Sequence, residues 1–377
     1  MTVAFISLMT IFPWGGSEDL WYKTAKVALK QGYAVSTLTK RWDTVPARIA
    51  ELRQLGAITT FYTTQPTSLS GRIAYYLGAT SSLSVPVAPA DVYVISNGST
   101  WDFIRFRSIA EKFINLGKPY VLISQHSFES GDVVAESDRA YALDVIGRAA
   151  AVFFVARRNL EAAERQVAGV IGQATIISNP LNTKEKAIKP YPSSATLLLA
   201  CVARLECQVK GQDVLLQALS GPQWANRDFR LRFYGTGPSQ DHLQALITLY
   251  GLQNKVTLEG HIADVDRIWE ENQVLVLPSF SEGTSLALLE AMMAGRTALA
   301  TDVGDTGLYV LPGRTGILLA TASVKCLRAG LEDLWQARAN LEAIGQQAFA
   351  HAVAITDFYP EKTLLKAIEA VLQPAQE

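Results

Sequence analysis

Val274-Leu275-Val276-Leu277-Pro278-Ser279-Phe280-Ser281-Glu282-Gly283-Thr284-Ser285-Leu286-Ala287-Leu288-Leu289-Glu290-Ala291 reads as one strand, one turn and one helix. The apolar strand ends at Pro278, a residue that cannot donate to a sheet ladder. Small polar residues form the turn, and an apolar stretch from Leu286 opens a helix. The strand does not alternate with polar residues, so both of its faces are covered, as in a parallel sheet.

The same rhythm extends outward in both directions. Short strands are predicted at Val3–Leu8, Tyr33–Thr39, Ile58–Tyr62, Val92–Ser96, Tyr120–Ser124, Val152–Val155 and Thr175–Ile177. Helical patterns lie between most of them, including Glu18–Gln31, Trp101–Asn115 and Arg158–Val167. Asn179–Ser194 breaks the pattern with Pro180, Pro190 and Pro192 and reads as an interdomain linker. Strands resume at Thr196–Val202, Phe229–Tyr234, Val256–Leu258, Val274–Pro278 and Thr297–Ala300, separated by helices. The expectation is an α/β chain of two doubly wound, Rossmann-like domains, 1–180 and 181–358, with a last helix in 359–377 returning toward the first.

Ligands of such sheets bind beyond the carboxyl ends of the strands. After the first strand, Pro13-Trp14-Gly15-Gly16-Ser17-Glu18 leads into a helix. Paired glycines let backbone approach a ligand, and the helix start favours an anion; a plain tight turn is the alternative. The segment is not G-x-G-x-x-G, which counts against a dehydrogenase. Arg204, Lys210 and Gly211 follow the first strand of the second half. Two cations there suit a diphosphate, or are simply solvated.

In the opening segment, the N–H groups of Gly283, Thr284 and Ser285, with Leu286 next, lack partners at a helix start and suit phosphate or sugar oxygens. Glu282 precedes the helix, and Glu290 lies roughly 12 Å further along its axis at ~1.5 Å per residue. They are acceptors for hydroxyls on opposite sides of a diphosphate, or a helix-start charge and a solvated residue. Glu290 sits inside an apolar run, where an unpaired charge is costly, which favours the ligand reading.

Composition narrows the classes further. The chain has 377 residues, 49% hydrophobic and 18% charged, as expected of a packed globular protein. Its formal net charge of −1 provides no global field for nucleic acid. Three cysteines argue against a disulfide framework: Cys201 and Cys326 read as buried thiols and Cys207 as a loop residue. The first residues lack the basic region of a signal peptide, and no apolar run reaches the roughly 20 residues of a membrane span. A cytoplasmic protein is expected, with peripheral contact at the inner membrane face left open. Asp264-Val265-Asp266 reads as helix-start charge rather than a metal site. The amphipathic stretches Ala47–Leu55 and Gly71–Leu77, the latter with Tyr75 and Tyr76, read as ordinary packing helices; a lipid-facing surface is the alternative.

Together these motifs resemble glycosyltransferase family 4, retaining enzymes with the GT-B fold, over nearly the whole chain. Glu282 and Glu290 match its Glu–seven residues–Glu signature, and Arg204, Lys210 and Gly211 its R-L-…-K-G motif. Gly15, Gly16 and Glu18 match the G-G-x-E turn, and Gly235 and Gly237 resemble the G-x-G-P turn. The resemblance implies two domains facing across a cleft, with His261 or Ile262 beside the nucleobase. It also implies that His126 faces the transferred sugar, Glu282 contacts that sugar and Glu290 holds the ribose. A lone His after an apolar strand is otherwise commonly structural. Asn97, Ser99 and Thr100 line the acceptor side or form an N-cap turn.

Three departures stand out: Ser127 after His126, Ser178-Asn179-Pro180 at the hinge, and Gly304-Asp305-Thr306-Gly307-Leu308 in place of Gly-Gly-x-Pro-Glu. The reaction implied is sugar transfer from a UDP- or GDP-sugar to a glycan, lipid-linked or small-molecule acceptor, with no metal and no further cofactor. The rivals are a nucleotide-sugar epimerase of the same fold, which needs no acceptor, and a non-catalytic sugar-nucleotide-binding module.

Overall fold

The computed structural model describes residues 1–64, 85–129, 133–182 and 187–373. The stretch at Gly71–Leu77 therefore lies outside the described residues. Contacts divide the chain into two units, Met1–Pro180 with Asp357–Glu377, and Leu181–Thr356.

The first unit is built on a parallel sheet in the order β3-β2-β1-β4-β5-β6-β7 among the described residues. Its strands are β1 (Thr2–Ser7), β2 (Ala34–Lys40), β3 (Ile58–Tyr62), β4 (Val92–Asn97), β5 (Tyr120–Ser124), β6 (Ala151–Phe154) and β7 (Ala174–Ile176). The central strands β4 and β5 are buried along their whole length, whereas edge strand β3 starts exposed at Ile58. The order reverses between β1 and β4, both paired in parallel, so the chain winds outward both ways from that point. One face packs Ile6, Tyr93, Leu122 and Phe113 into a core. The other packs Phe5, Val94 and Ile123 against Trp21 of the helix Gly16–Lys30. The last helix, Pro360–Leu372, belongs to this second layer through Leu364, Leu365 and Ile368, and Tyr33 donates to Glu369 at 2.8 Å.

The second unit has strands β8 (Leu197–Val202), β9 (Phe229–Tyr234), β10 (Val256–Gly260), β11 (Val274–Leu277), β12 (Thr297–Thr301) and β13 (Gly316–Leu319). Their order is β10-β9-β8-β11-β12-β13, all parallel, with the switch between β8 and β11. The segment entering this unit is fastened to it. Arg296, fully buried, donates from Nε to the carbonyls of Trp269 (2.9 Å) and Asn272 (3.0 Å) and from Nη1 to that of Lys189 (3.2 Å). Its guanidinium also covers the Tyr191 ring at 5.1 Å. The segment Lys189–Tyr191 is thus a strap on the second unit, because its carbonyls satisfy an arginine that would otherwise be buried unpaired.

Candidate functional site

The second unit carries most of the flagged residues, on loops that leave the carboxyl ends of β8, β9, β11 and β12. These loops interlock backbone to backbone. Gly211 has φ +63°, and a Cβ there would fall 2.1 Å from the Pro278 carbonyl oxygen, so only glycine lets the β8 loop lie on the β11 loop. Gly304 has φ +54° and meets the Gly283 oxygen in the same way, which sets the β12 loop on the helix start. Phe280 N donates to Val209 O (2.9 Å), Leu205 N to Thr236 O (3.1 Å) and Asp305 N to Gly283 O (3.2 Å). Gly235 packs its Cα against the Ala203 carbonyl.

This framework brings Lys210 onto Glu282. Lys210 Nζ donates to Glu282 Oε1 at 2.8 Å, and Ser279 Oγ donates to the same oxygen at 2.6 Å. Glu282 is buried and Lys210 half-buried, so the pair is shielded from screening. Arg204 pairs with Glu206, a partner the sequence reading did not single out. Gln212 anchors the Arg204 carbonyl through Nε2 at 2.8 Å.

Ser285 caps the helix Leu286–Met293, its Oγ accepting from Leu288 N. Thr284 is buried and donates from Oγ1 to Asp305 Oδ2 at 3.3 Å, so the residue that departs from the family pattern touches the helix start. Glu290 is buried on that helix at 5% exposure, not solvated. His261, exposed, and Ile262, half-buried, follow β10.

Of the cysteines, Cys201 is buried as expected, whereas Cys326 is only half-buried. Cys207 is in the one-turn helix Cys207–Lys210 rather than a loop, and it is buried. Burial pushes the Cys201 thiol up to about 12. Asp264 stands at the N-cap of Val265–Glu271, and Asp266 accepts from Lys189 at 2.9 Å. Among the described residues, no group of three or more His, Cys, Asp or Glu could hold a metal ion.

In the first unit, His126 follows β5 and is half-buried. Its carbonyl accepts from Thr100 N (2.9 Å) and Thr100 Oγ1 (3.1 Å), and its ring meets the Phe128 ring edge-on at 4.5 Å between centroids. Thr100 Oγ1 also bonds the Ser124 and Ser127 hydroxyls, so Thr100 is spent on fixing this loop. Asn97 is buried and donates to Ile123 O, while Ser99 N is capped by Asp102 at 2.8 Å. Burial raises the Asp102 carboxyl to about 6.

At Gly15 the turn is lined by a neighbouring ring. A Cβ at Gly15 would meet the Phe12 ring at 2.3 Å, so the space left by the missing side chain is occupied by the protein's own aromatic ring. Gly16 begins the helix. Glu18 accepts from Trp21 Nε1 at 3.0 Å, and burial raises its carboxyl to about 7.

Residues 196–337 match the model of the family described as Glycosyl transferases group 1. The match lies within the second unit. It is 30% identical over 167 residues to a D-inositol 3-phosphate glycosyltransferase of Paenarthrobacter aurescens, covering 43% of this chain and 40% of that one. The corresponding protein of Nocardia farcinica is 29% identical over 187 residues, 46% of this chain and 41% of its own length. The chain thus spans less than half the length of these relatives. Among solved structures, Anabaena HepE in complex with UDP superposes with a TM-score of 0.73 at 19% identity, covering 98% of this chain and 100% of that one. A glycosyltransferase from Rickettsia africae gives 0.75 at 13% identity, with 99% of each chain covered. At such identities the likeness establishes the fold, which is GT-B: two Rossmann-like units with parallel sheets.

Proposed function

We propose that the chain transfers a sugar from a nucleotide-diphosphate sugar to a glycan, lipid-linked or small-molecule acceptor, with retention of anomeric configuration and without a divalent metal. The observation that carries this reading is the Lys210–Glu282 pair, set among glycine-locked loops beside the start of the helix Leu286–Met293. Glycosyl transfer leaves negative charge on the departing diphosphate and builds positive charge on the sugar ring. Arg204, Lys210 and the N–H groups of Gly283–Ser285 offset the first. Glu282, an acceptor at the same point, addresses the sugar, and Glu290 holds the ribose hydroxyls. Gly235, His261 and Ile262 lie toward the base. His126 of the first unit faces the transferred sugar, and Gly15 and Gly16 border the donor.

HepE has been solved with UDP-glucose, which makes uridine diphosphate sugars the first donors to test. Calorimetric titration with UDP, GDP, ADP and their sugars identifies the base. Incubation of the cognate donor with candidate acceptors in the presence of chelator, read by the anomeric signal of the product, tests transfer, retention and metal independence together. Interconversion of donor without acceptor would establish an epimerase instead. Binding with neither transfer nor donor hydrolysis would establish a silent module.

A further inference from the structure

The loop that carries His126 is held from below by one side chain that the proposed chemistry does not use. Gln166, at the end of the helix Arg157–Val167, is 5% exposed and bonded at both ends of its amide. Its Nε2 donates to the Phe128 carbonyl at 2.7 Å, and its Oε1 accepts from Trp101 Nε1 at 2.7 Å. The two partners fix the amide's orientation, since a carbonyl only accepts and an indole N–H only donates. Phe128 in turn sets its ring edge against the His126 imidazole. The same helix gives Arg158, paired with Glu129 at 2.8 Å, so the far side of the loop is tied to it as well.

We propose that Gln166 is a positioning residue for His126, acting through the Phe128 backbone and ring; this rests on the proposed transferase reading only for its effect on turnover. Phe128 is 40% exposed, and its carbonyl accepts from the buried Gln166 amide. When a carboxylate replaces that donor, two oxygens repel at this point, the loop shifts, and the imidazole packed on Phe128 moves with it. Placement errors of this kind act on turnover more than on binding of donor groups held by the second unit.

Two near-isosteric variants separate the arms of the amide. Gln166→Glu keeps the acceptor for Trp101 but, once ionised, turns a carboxylate oxygen toward the Phe128 carbonyl. Protonated, it regains an O–H donor. Trp101→Phe removes only the other arm. The first readout needs no activity: imidazole NMR of the four histidines, with the His126 signal assigned by its loss in His126→Asn.

Gln166→Glu at pH 8 shifts the His126 resonances, and they return toward the wild-type positions as the pH falls; Trp101→Phe leaves them in place. With a donor and acceptor in hand, Gln166→Glu lowers kcat by ~10-fold at pH 8 with the donor KM unchanged, and the deficit relative to wild type closes at lower pH. Unmoved His126 resonances in folded Gln166→Glu overturn the proposal. So does a Trp101→Phe variant that shifts them equally. Shifted resonances in a chain that transfers no sugar would instead leave the positioning intact and remove the transferase reading.

Discussion

Two strand–turn–helix junctions look alike in sequence and behave differently in the folded chain. Pro13–Glu18 follows β1, and Ser279–Ser285 follows β11; each offers small residues, a glycine and a glutamate ahead of a helix. At the first, the glycine's open space is taken by Phe12, and the glutamate is buried with its carboxyl raised to about 7. At the second, neighbouring loops press on the turn through Gly211 and Gly304, and the glutamate is paired with Lys210. The difference lies in what arrives from other strands. A cation from the β8 loop pairs with Glu282, whereas Glu18 is bonded by the Ser7 hydroxyl and the Trp21 indole.

The sharpest way to break this comparison is to neutralise Glu282. Glu282→Gln should lower turnover by ~10²-fold, as for a lost transition-state contact. Nucleoside diphosphate affinity should hold or improve, because the substitution releases Lys210 from its present partner. Glu290→Gln should instead weaken free nucleoside diphosphate and donor alike, since ribose is common to both. Titration and turnover of the two variants decide it; equal loss of diphosphate affinity would refute the assignment of donor parts along this helix.

Next in size are the cations. Arg204→Ala and Lys210→Ala should each weaken nucleoside diphosphate binding by ~1.5–3 kcal/mol, the range for a lost charge-assisted hydrogen bond. Activity should persist in chelator. Strict dependence on a divalent ion would return Asp264 and Asp266 to consideration, although Asp266 is already engaged by Lys189.

The glycines sharpen the contrast at the level of stability. Gly211→Ala puts a Cβ 2.1 Å from a backbone oxygen at positive φ, so neither neighbour can yield. A loss of ~1–3 kcal/mol is expected in denaturant unfolding. Gly15→Ala meets only the end of the Phe12 ring, at an extended φ of −150°, and should cost well under ~1 kcal/mol. Equal costs would mean that the two turns are built alike after all.

Much of this was legible in the sequence because strand periodicity and turn residues are local. Uninterrupted apolar runs such as Val92–Ser96 and Val274–Leu277, short and rich in β-branched residues, read as doubly covered strands. What escaped was non-local or weakly patterned. Gly316–Leu319, four residues between Thr315 and the loop at Ala320, is too short to stand out, yet it closes the sheet as β13. The Lys210–Glu282 pair joins residues far apart in the chain, and no local pattern relates the two side chains. The strap at Lys189–Tyr191 read as a linker because the residue that binds it, Arg296, follows an apolar helix with no sign of its carbonyl partners. Gln166 sits in a helix as an ordinary polar residue, and only the fold shows that it spans Trp101 and Phe128.

The smallest effect concerns Glu18, and its sign is fixed by linkage. Its carboxyl titrates near 4.5 when exposed and is raised to about 7 in the folded chain, chiefly by burial. Between those values the folded state holds a proton that the unfolded state has released. Stability is therefore full below about pH 4.5 and is lost as pH rises through about 7. Gln carries no such proton, so Glu18→Gln should flatten the fall in Tm between pH 5 and pH 8 by about 2–4 °C, the size of a kcal/mol-scale effect in a unit of this length. Thermal scans of Glu18→Gln and wild type at the two pH values test this. A Glu18→Gln variant whose Tm falls with pH as steeply as wild type would show that the carboxylate is already ionised, and the first turn would then need a cation of its own.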